Sequence, residues 1–188
     1  MSVLVVYSSK HGATREIAER IAATLTASGQ AAQARATEDA GDLTGYDAFV
    51  VGAAAYYGHW LKASTKFVRT HQAELAARPV WLFTSGPLRS ETTDKEGTDP
   101  WKSARPKELD ELQTVTKARD HRIFFGALDP NRLTRSERML RRLPAGRALL
   151  PEGDFRDWDD IDAWARTIAG ELSGLPPTDP QRAGHESG

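Results

Sequence analysis

The stretch Val3-Leu4-Val5-Val6-Tyr7-Ser8-Ser9-Lys10-His11-Gly12-Ala13-Thr14-Arg15-Glu16-Ile17-Ala18 decides the fold. Its first five residues are aliphatic or aromatic without a polar break, the composition of a strand covered on both faces. A polar turn follows from Ser8 to Ala13, and helical spacing then takes over. Ile17, Ile21 and Leu25, flanked by Ala18 and Ala22, form one apolar face, and Ser28-Gly29 supplies a C-terminal stop. Strand, turn and helix in that order open a βαβ unit.

The pattern continues along the chain. Ala31 to Ala36 reads as a second strand, with Gln33 and Arg35 on its wetter face; its weak β propensity predicts an edge position. Residues 48–55 are the clearest buried strand. A helix is predicted over 62–77, with Phe67, Val68, His71 and Leu75 on one face, and His71 is read as a packing residue. Strands follow at 79–85 and 121–126. Between these two lie residues 86–106, with prolines and glycines but little apolar periodicity; compact domains reserve a loop this long for function or disorder. Leu109, Leu112 and Val115 mark a helix over 107–117, and Ile161, Trp164, Ala165, Ile168 and Leu172 mark the last helix over 158–172. The acids between Glu152 and Asp162 suit the N-terminal end of that helix. One domain over 1–172 and a disordered tail over 173–188, rich in Pro, Gly and Ser, are expected. Strands alternating with helices make the class α/β, an open parallel sheet, doubly wound.

Composition removes several functions. The 188 residues carry 25 Lys+Arg against 26 Asp+Glu, a net charge of -1, which supplies no global attraction for nucleic acid. Cysteine is absent, and with it disulfide frameworks, thiolate metal sites and cysteine nucleophiles. No metal-ligand constellation stands out. The apolar start is too short for a membrane span and lacks the features of a signal peptide, so a cytoplasmic protein is expected.

In such sheets ligands bind beyond the carboxyl ends of the strands, which points to three loops. Ser9, Lys10, His11, Gly12, Ala13 and Thr14 open a helix, where free backbone N–H groups and two hydroxyls suit an anion; an ordinary N-cap and tight turn is the plain alternative. Neither a Gly-Lys-Ser/Thr ending nor a G-x-G-x-x-G pattern is present, leaving a monophosphate cradle that uses hydroxyls. Ala55, Tyr56, Tyr57, Gly58, His59 and Trp60 gather aromatic faces able to sandwich a flat heterocycle, although Trp60 suits a core cap equally well. Ser85 and Gly86 offer backbone contacts at the end of the fourth strand. His11 and His59 are candidate proton relays.

On these residues the chain resembles flavodoxin-type proteins. More narrowly, it is similar to the flavodoxin-domain family that includes menaquinone-dependent protoporphyrinogen oxidase. The narrower likeness rests on Val51-Gly52-Ala53-Ala54-Ala55-Tyr56-Tyr57-Gly58-His59-Trp60, on Phe125-Gly126-Ala127-Leu128 and on Asp157-Trp158-Asp159. The resemblance covers residues 3–172. It implies a flavodoxin-like five-stranded sheet in the order 2-1-3-4-5, with the long insertion before or within the fifth strand. It implies FMN as cofactor, its phosphate in the loop Ser9 to Thr14 and its ring flanked by residues 55–60 and by Ser85-Gly86. Three functions then compete: an FMN-dependent oxidoreductase with a quinone acceptor and a porphyrinogen substrate, a flavodoxin-type carrier between redox proteins, and a binding module without flavin. The family's members that act on membrane quinones look more apolar after the fifth strand, whereas residues 132–147 here hold six arginines. That run reads as a solvated helix face, or as a weak, salt-sensitive contact with anionic lipid.

Overall fold

The computed structural model describes residues 1–86, 88 and 105–175, excepting the side chains of residues 148 and 149. Most of the predicted insertion over 86–106, and all of the predicted tail over 173–188 beyond residue 175, lie outside the described residues. The strands are β1 (Ser2–Ser8), β2 (Ala31–Ala36), β3 (Ala48–Tyr56), β4 (His59–Trp60), β5 (Val80–Ser85), β6 (Asp120–Phe124), β7 (Ala127–Leu128) and β8 (Gly153–Asp154). The helices are α1 (Ala13–Ala27), α2 (Lys62–Thr70), α3 (Gln72–Ala76), α4 (Leu109–Thr116), α5 (Arg135–Leu140), α6 (Pro144–Leu149) and α7 (Trp158–Ser173).

Five long strands pair in parallel in the order β2-β1-β3-β5-β6, which is 2-1-3-4-5 when the short β4 is set aside. β4 folds back antiparallel on the end of β3, a hairpin that the strand-by-strand pattern did not predict. β2 is an edge strand, as its weak propensity implied.

Period-2 alternation along β1 supplies both layers. Val3 and Val5 pack with Ile17, Ile21 and Leu25 of α1 and with Ile161, Trp164 and Ile168 of α7. Leu4 and Val6 point the other way, into a cluster with Phe67 and Val68 of α2, Leu75 of α3 and Leu109 and Leu112 of α4. β3 lies so close to its neighbour that a Cβ on Gly52 would stand 2.0 Å from the ring of Phe83, the residue opposite it in β5. Phe83 is held in turn by Phe124 and Trp164, with ring centroids 6.1 Å and 6.4 Å away.

The predicted helix over 62–77 is two helices. The break falls at His71, which leaves helical geometry (φ -107°, ψ 24°) and stacks on Phe67 with centroids 4.8 Å apart. Buried hydroxyls tie α2 to the sheet: Ser64 Oγ donates to the Gly52 carbonyl at 3.1 Å, and Ser8 Oγ lies 2.6 Å from Ser64 Oγ. Asp157 caps α7 by accepting the Asp160 N–H.

Two ionisable groups make this packing sensitive to acid. Arg20 forks onto Asp162 (Nε–Oδ1 2.8 Å, Nη2–Oδ2 2.5 Å), joining α1 to α7, and that hydrogen bond above all holds the Asp162 carboxyl down at about 2. His121 is half-buried on the edge strand β6. Thr84 Oγ1 accepts the Trp60 indole N–H at 2.8 Å and lies 2.8 Å from His121 Nε2. Burial, followed by the charge of Arg105, lowers His121 to about 4.

Both folded-state values lie below the unfolded ones, so both contributions are full at neutral pH and decline on acidification. Stability should fall first between about pH 6.5 and pH 4, as unfolded chains take up a proton that His121 refuses. A second fall should come between about pH 4 and pH 2, from Asp162. In His121→Gln the first fall should shrink by up to about 3 kcal/mol in urea titrations at stepped pH; an unaltered pH profile would show that His121 does not control it. Gly52→Ala should destabilise by about 2 kcal/mol or more, because the Phe83 ring has no free space to enter.

Candidate functional site

A cavity of about 290 Å³ opens at the carboxyl ends of β1, β3 and β5. Its polar side is the loop after β1, where Ser9, Lys10, His11, Ala13 and Thr14 line it. Gly12, at φ 93°, turns the chain into α1, and no side chain caps that helix. The Glu16 N–H is the first to reach back along it, to Gly12 O at 3.0 Å. The N–H groups of Ala13, Thr14 and Arg15 therefore precede the helical ladder, the donor set an anion requires. The Gly12 N–H donates to Ser9 Oγ at 3.0 Å, so the Ser9 hydroxyl keeps its proton for another acceptor.

The second wall is the β3–β4 hairpin. Tyr57 (φ 52°) and Gly58 (φ 73°) are its two loop residues, both left-handed, the conformation that lets two twisted strands reverse in a two-residue turn. Tyr57 is thereby held at the cavity mouth, 95% exposed, while Tyr56 lies against the loop after β1. The His11 ring meets Tyr56 edge-on at 6.5 Å, and the Lys10 ammonium lies 5.6 Å from the Tyr56 ring centre. Burial and the nearby charge of Glu137 push the Tyr56 hydroxyl up to about 12, so it is a donor throughout the neutral range.

The remaining walls are Ser85 at the end of β5 with Gly86 and Leu88 beyond it, and an arm over residues 126–150 that contributes Gly126, Ala127, Leu128, Glu137, Leu140 and Leu150. Glu137 closes the arm onto the first loop. Its carboxylate accepts Lys10 Nζ at 2.6 Å, lies 3.3 Å from His11 Nε2, and completes a capping box with Thr134 at the start of α5. Partial burial opposes its charge, but the Lys10 hydrogen bond, those from Thr134 and the His11 ring outweigh it and hold Glu137 at about 2. His11 Nδ1 faces the Arg132 carbonyl at 3.2 Å, so both ring nitrogens look at acceptors on the arm.

Ser9, Lys10, His11, Ala13, Thr14, Ala55, Tyr56, Tyr57, Ser85 and Gly86 are thus brought together as the sequence predicts. The other four predicted site residues lie off the cavity wall. Gly12 backs onto Arg132, whose Nη1 would be 2.5 Å from a Cβ there. The Gly58 carbonyl accepts the Lys107 N–H at 2.9 Å. His59 turns outward to Glu108, Nδ1 to Oε1 at 2.5 Å. Trp60 is 3% exposed and packs in the core, held by Thr84. Sequence reading missed Glu137, Leu128, Leu140 and Leu150. The Thr134-x-x-Glu137 spacing does announce a helix start, but nothing in it says that the helix folds back over β1.

A doubly wound sheet with an uncapped helix start after β1 and tyrosines after β3 is the architecture of flavodoxin-like proteins. Residues 4–145 match the flavodoxin domain family, and the chain belongs to that family. FMN is accordingly its cofactor, and redox chemistry its class. The open backbone donors, the hydroxyls of Ser9 and Thr14 and the adjoining tyrosine faces fit a phosphate joined to a flat ring. Over 82 residues the chain is 34% identical to protoporphyrinogen IX dehydrogenase [quinone] of Escherichia coli strain K12, a match that takes in 42% of this chain and 45% of that one. The match therefore spans less than half the length of that relative. A flavodoxin from the domain Archaea superposes with a TM-score of 0.60 at 18% identity, covering 92% of this chain and 99% of its own. A cysteine-to-serine mutant of the flavodoxin from Pseudomonas aeruginosa gives 0.56 at 16%, covering 93% and 100%. These two likenesses establish the fold.

Removing the Glu137 carboxylate takes away the reciprocal half of the α5 capping box and the ion pair to Lys10 together, while Thr134 still accepts the N–H of residue 137. Glu137→Ala should speed amide exchange in residues 126–140 by about fivefold, the equivalent of about 1 kcal/mol for these contacts, and leave β1 and β3 protected. Exchange unchanged in the arm would mean that its other contacts hold it.

Proposed function

We propose that the protein is an FMN-dependent oxidoreductase with a quinone as electron acceptor, resembling menaquinone-dependent protoporphyrinogen oxidase. The observation that carries this reading is the arm. Leu128, Leu140 and Leu150 set an apolar wall across from the phosphate-type loop and the tyrosines, a chamber suited to a flat, apolar reactant. The similarity to the E. coli protoporphyrinogen IX dehydrogenase [quinone] supports a quinone acceptor and makes a porphyrinogen a candidate donor.

In this reading Ser9 to Thr14 hold the FMN phosphate, and Tyr56, Tyr57, Ser85 and Gly86 flank the ring. Because Lys10 is already committed to Glu137 at 2.6 Å, the phosphate charge falls mainly on backbone N–H groups, the Ser9 and Thr14 hydroxyls and the start of α1. Bound FMN supplies the electron transfer, and the protein supplies position, exclusion of water and local charge. The protein works in the cytoplasm, with at most peripheral contact with the membrane in which quinones dissolve. No helix of the described residues is long and apolar enough to cross a membrane.

Three measurements test this. A Ser9→Ala, Thr14→Val double variant should bind FMN about tenfold more weakly or worse in fluorescence titrations, since each lost donor leaves charged oxygens underserved. Tyr57→Ala should relieve flavin quenching without lowering thermal stability, because the side chain is 95% exposed. Anaerobic turnover with protoporphyrinogen IX and a menaquinone analogue is the decisive assay. A protein that binds FMN, reduces redox proteins and leaves both compounds untouched is a flavodoxin-type carrier instead.

A further inference from the structure

We propose that the corner between α5 and α6 is a second anion site, built to take a phosphoryl group. A surface cavity of about 520 Å³ there is lined by Arg138, Arg141, Arg142 and Arg147, with Glu152 the single acid. Three features show that this is a built corner rather than a loose run of charge. Gly146 is buried against the last turn of α5, where a Cβ would stand 1.9 Å from the Leu140 carbonyl oxygen, so a glycine is what lets α6 close on α5. The closure brings Arg147 beside Arg141, and Arg147 Nε donates to the Arg141 carbonyl at 3.2 Å. Arg141 reaches Glu152 with Nη2 at 3.2 Å, yet its Nε is buried and has no hydrogen-bond partner among the described residues.

Several arginines elsewhere are matched: Arg20 with Asp162, Arg69 with Glu111, Arg122 with Asp160, Arg156 with Glu16 and Asp154. Among the described residues, Arg138, Arg142 and Arg147 have no ion pair. Four guanidinium groups around one cavity repel one another, and one carboxylate that is itself 64% exposed offsets only part of that. An oxyanion relieves the repulsion and satisfies the idle donors. Guanidinium forks pair with oxygens two at a time, and several forks outnumber the two oxygens of a carboxylate. A phosphoryl group, with three or more oxygens in a tetrahedron, uses more of them.

Such a group comes either from a soluble phosphate compound or from an anionic lipid headgroup. Met139 and Leu143, 67% and 59% exposed beside the arginines, are the side chains a lipid would add to the contact. The site is separate from the cofactor cavity and stands whether or not the proposed activity does.

The test uses the full chain loaded with FMN, which fills the loop after β1. Titration calorimetry with inorganic pyrophosphate at low ionic strength should show one saturable site, about tenfold weaker in Arg138→Gln, Arg147→Gln, with FMN content and melting temperature unchanged. In parallel, the protein is sedimented with vesicles of phosphatidylglycerol or of phosphatidylcholine alone. Pyrophosphate binding that depends on these arginines supports the site and assigns a soluble ligand. Retention on phosphatidylglycerol only, with the same dependence and no pyrophosphate binding, supports the site and assigns a headgroup. Binding to neither probe, or binding that the double variant leaves intact, overturns the proposal.

Discussion

Val3 to Val6 of β1 are completely buried, and on both faces of the sheet. Their backbone groups can be met only by neighbouring strands, so β1 must be an interior strand with β2 on one side and β3 on the other. Everything about the site follows from that placement. The chain leaves β1 for the edge through α1 on one face, and β3 leaves for the far side of the sheet through α2 and α3 on the opposite face. The loops after β1 and β3 therefore diverge, and the gap between them lies at the carboxyl edge, where the first turn of α1 has backbone donors without partners.

Onto this frame the arm over 126–150 is fastened by carboxylates of both segments. Glu137 on the arm takes Lys10, while Glu16 in the first turn of α1 takes Arg132 of the arm at 2.5 Å and Arg156 at 2.7 Å. Arg156 is nearly buried, stacks over Trp158 with its guanidinium 4.4 Å from the ring and also pairs with Asp154. Burial works against the Glu16 charge, but its two arginines outweigh that and keep the carboxyl below its ordinary range. The cofactor loop and the arm are thus one electrostatic assembly. A change in either is felt by the other without passing through the core.

This division gives the cavity two ends of different character. Near β1 it offers fixed donors and compensated charge, which suit an anion and do little for an apolar molecule. Under the arm it offers leucine side chains, whose gain from contact scales with the apolar area removed from water. A ligand that is ionic at one end and flat and apolar at the other meets both.

Residues 3–18 alone carried the class of fold, because a run covered on both faces followed by a 3.6-residue period has few architectures open to it. They also carried the anion loop, because a polar turn with glycine before a helix leaves the same donors free in any fold. Strand limits were legible to within a residue where continuous burial was strong, as in β3 and β5. The helix break at His71 was not, since its ring keeps to the predicted apolar face by stacking on Phe67 while the backbone departs from the helix. Trp60 illustrates a second limit: its composition suited a ring contact and a core position equally, and only the turn at Tyr57-Gly58 and the hydroxyl of Thr84 decided for the core. The leucine wall and the Glu137 clasp belong to tertiary structure alone. The clasp joins Lys10 to a residue 127 positions further along the chain, and no local periodicity encodes which way a polar, arginine-rich arm folds once it leaves the sheet.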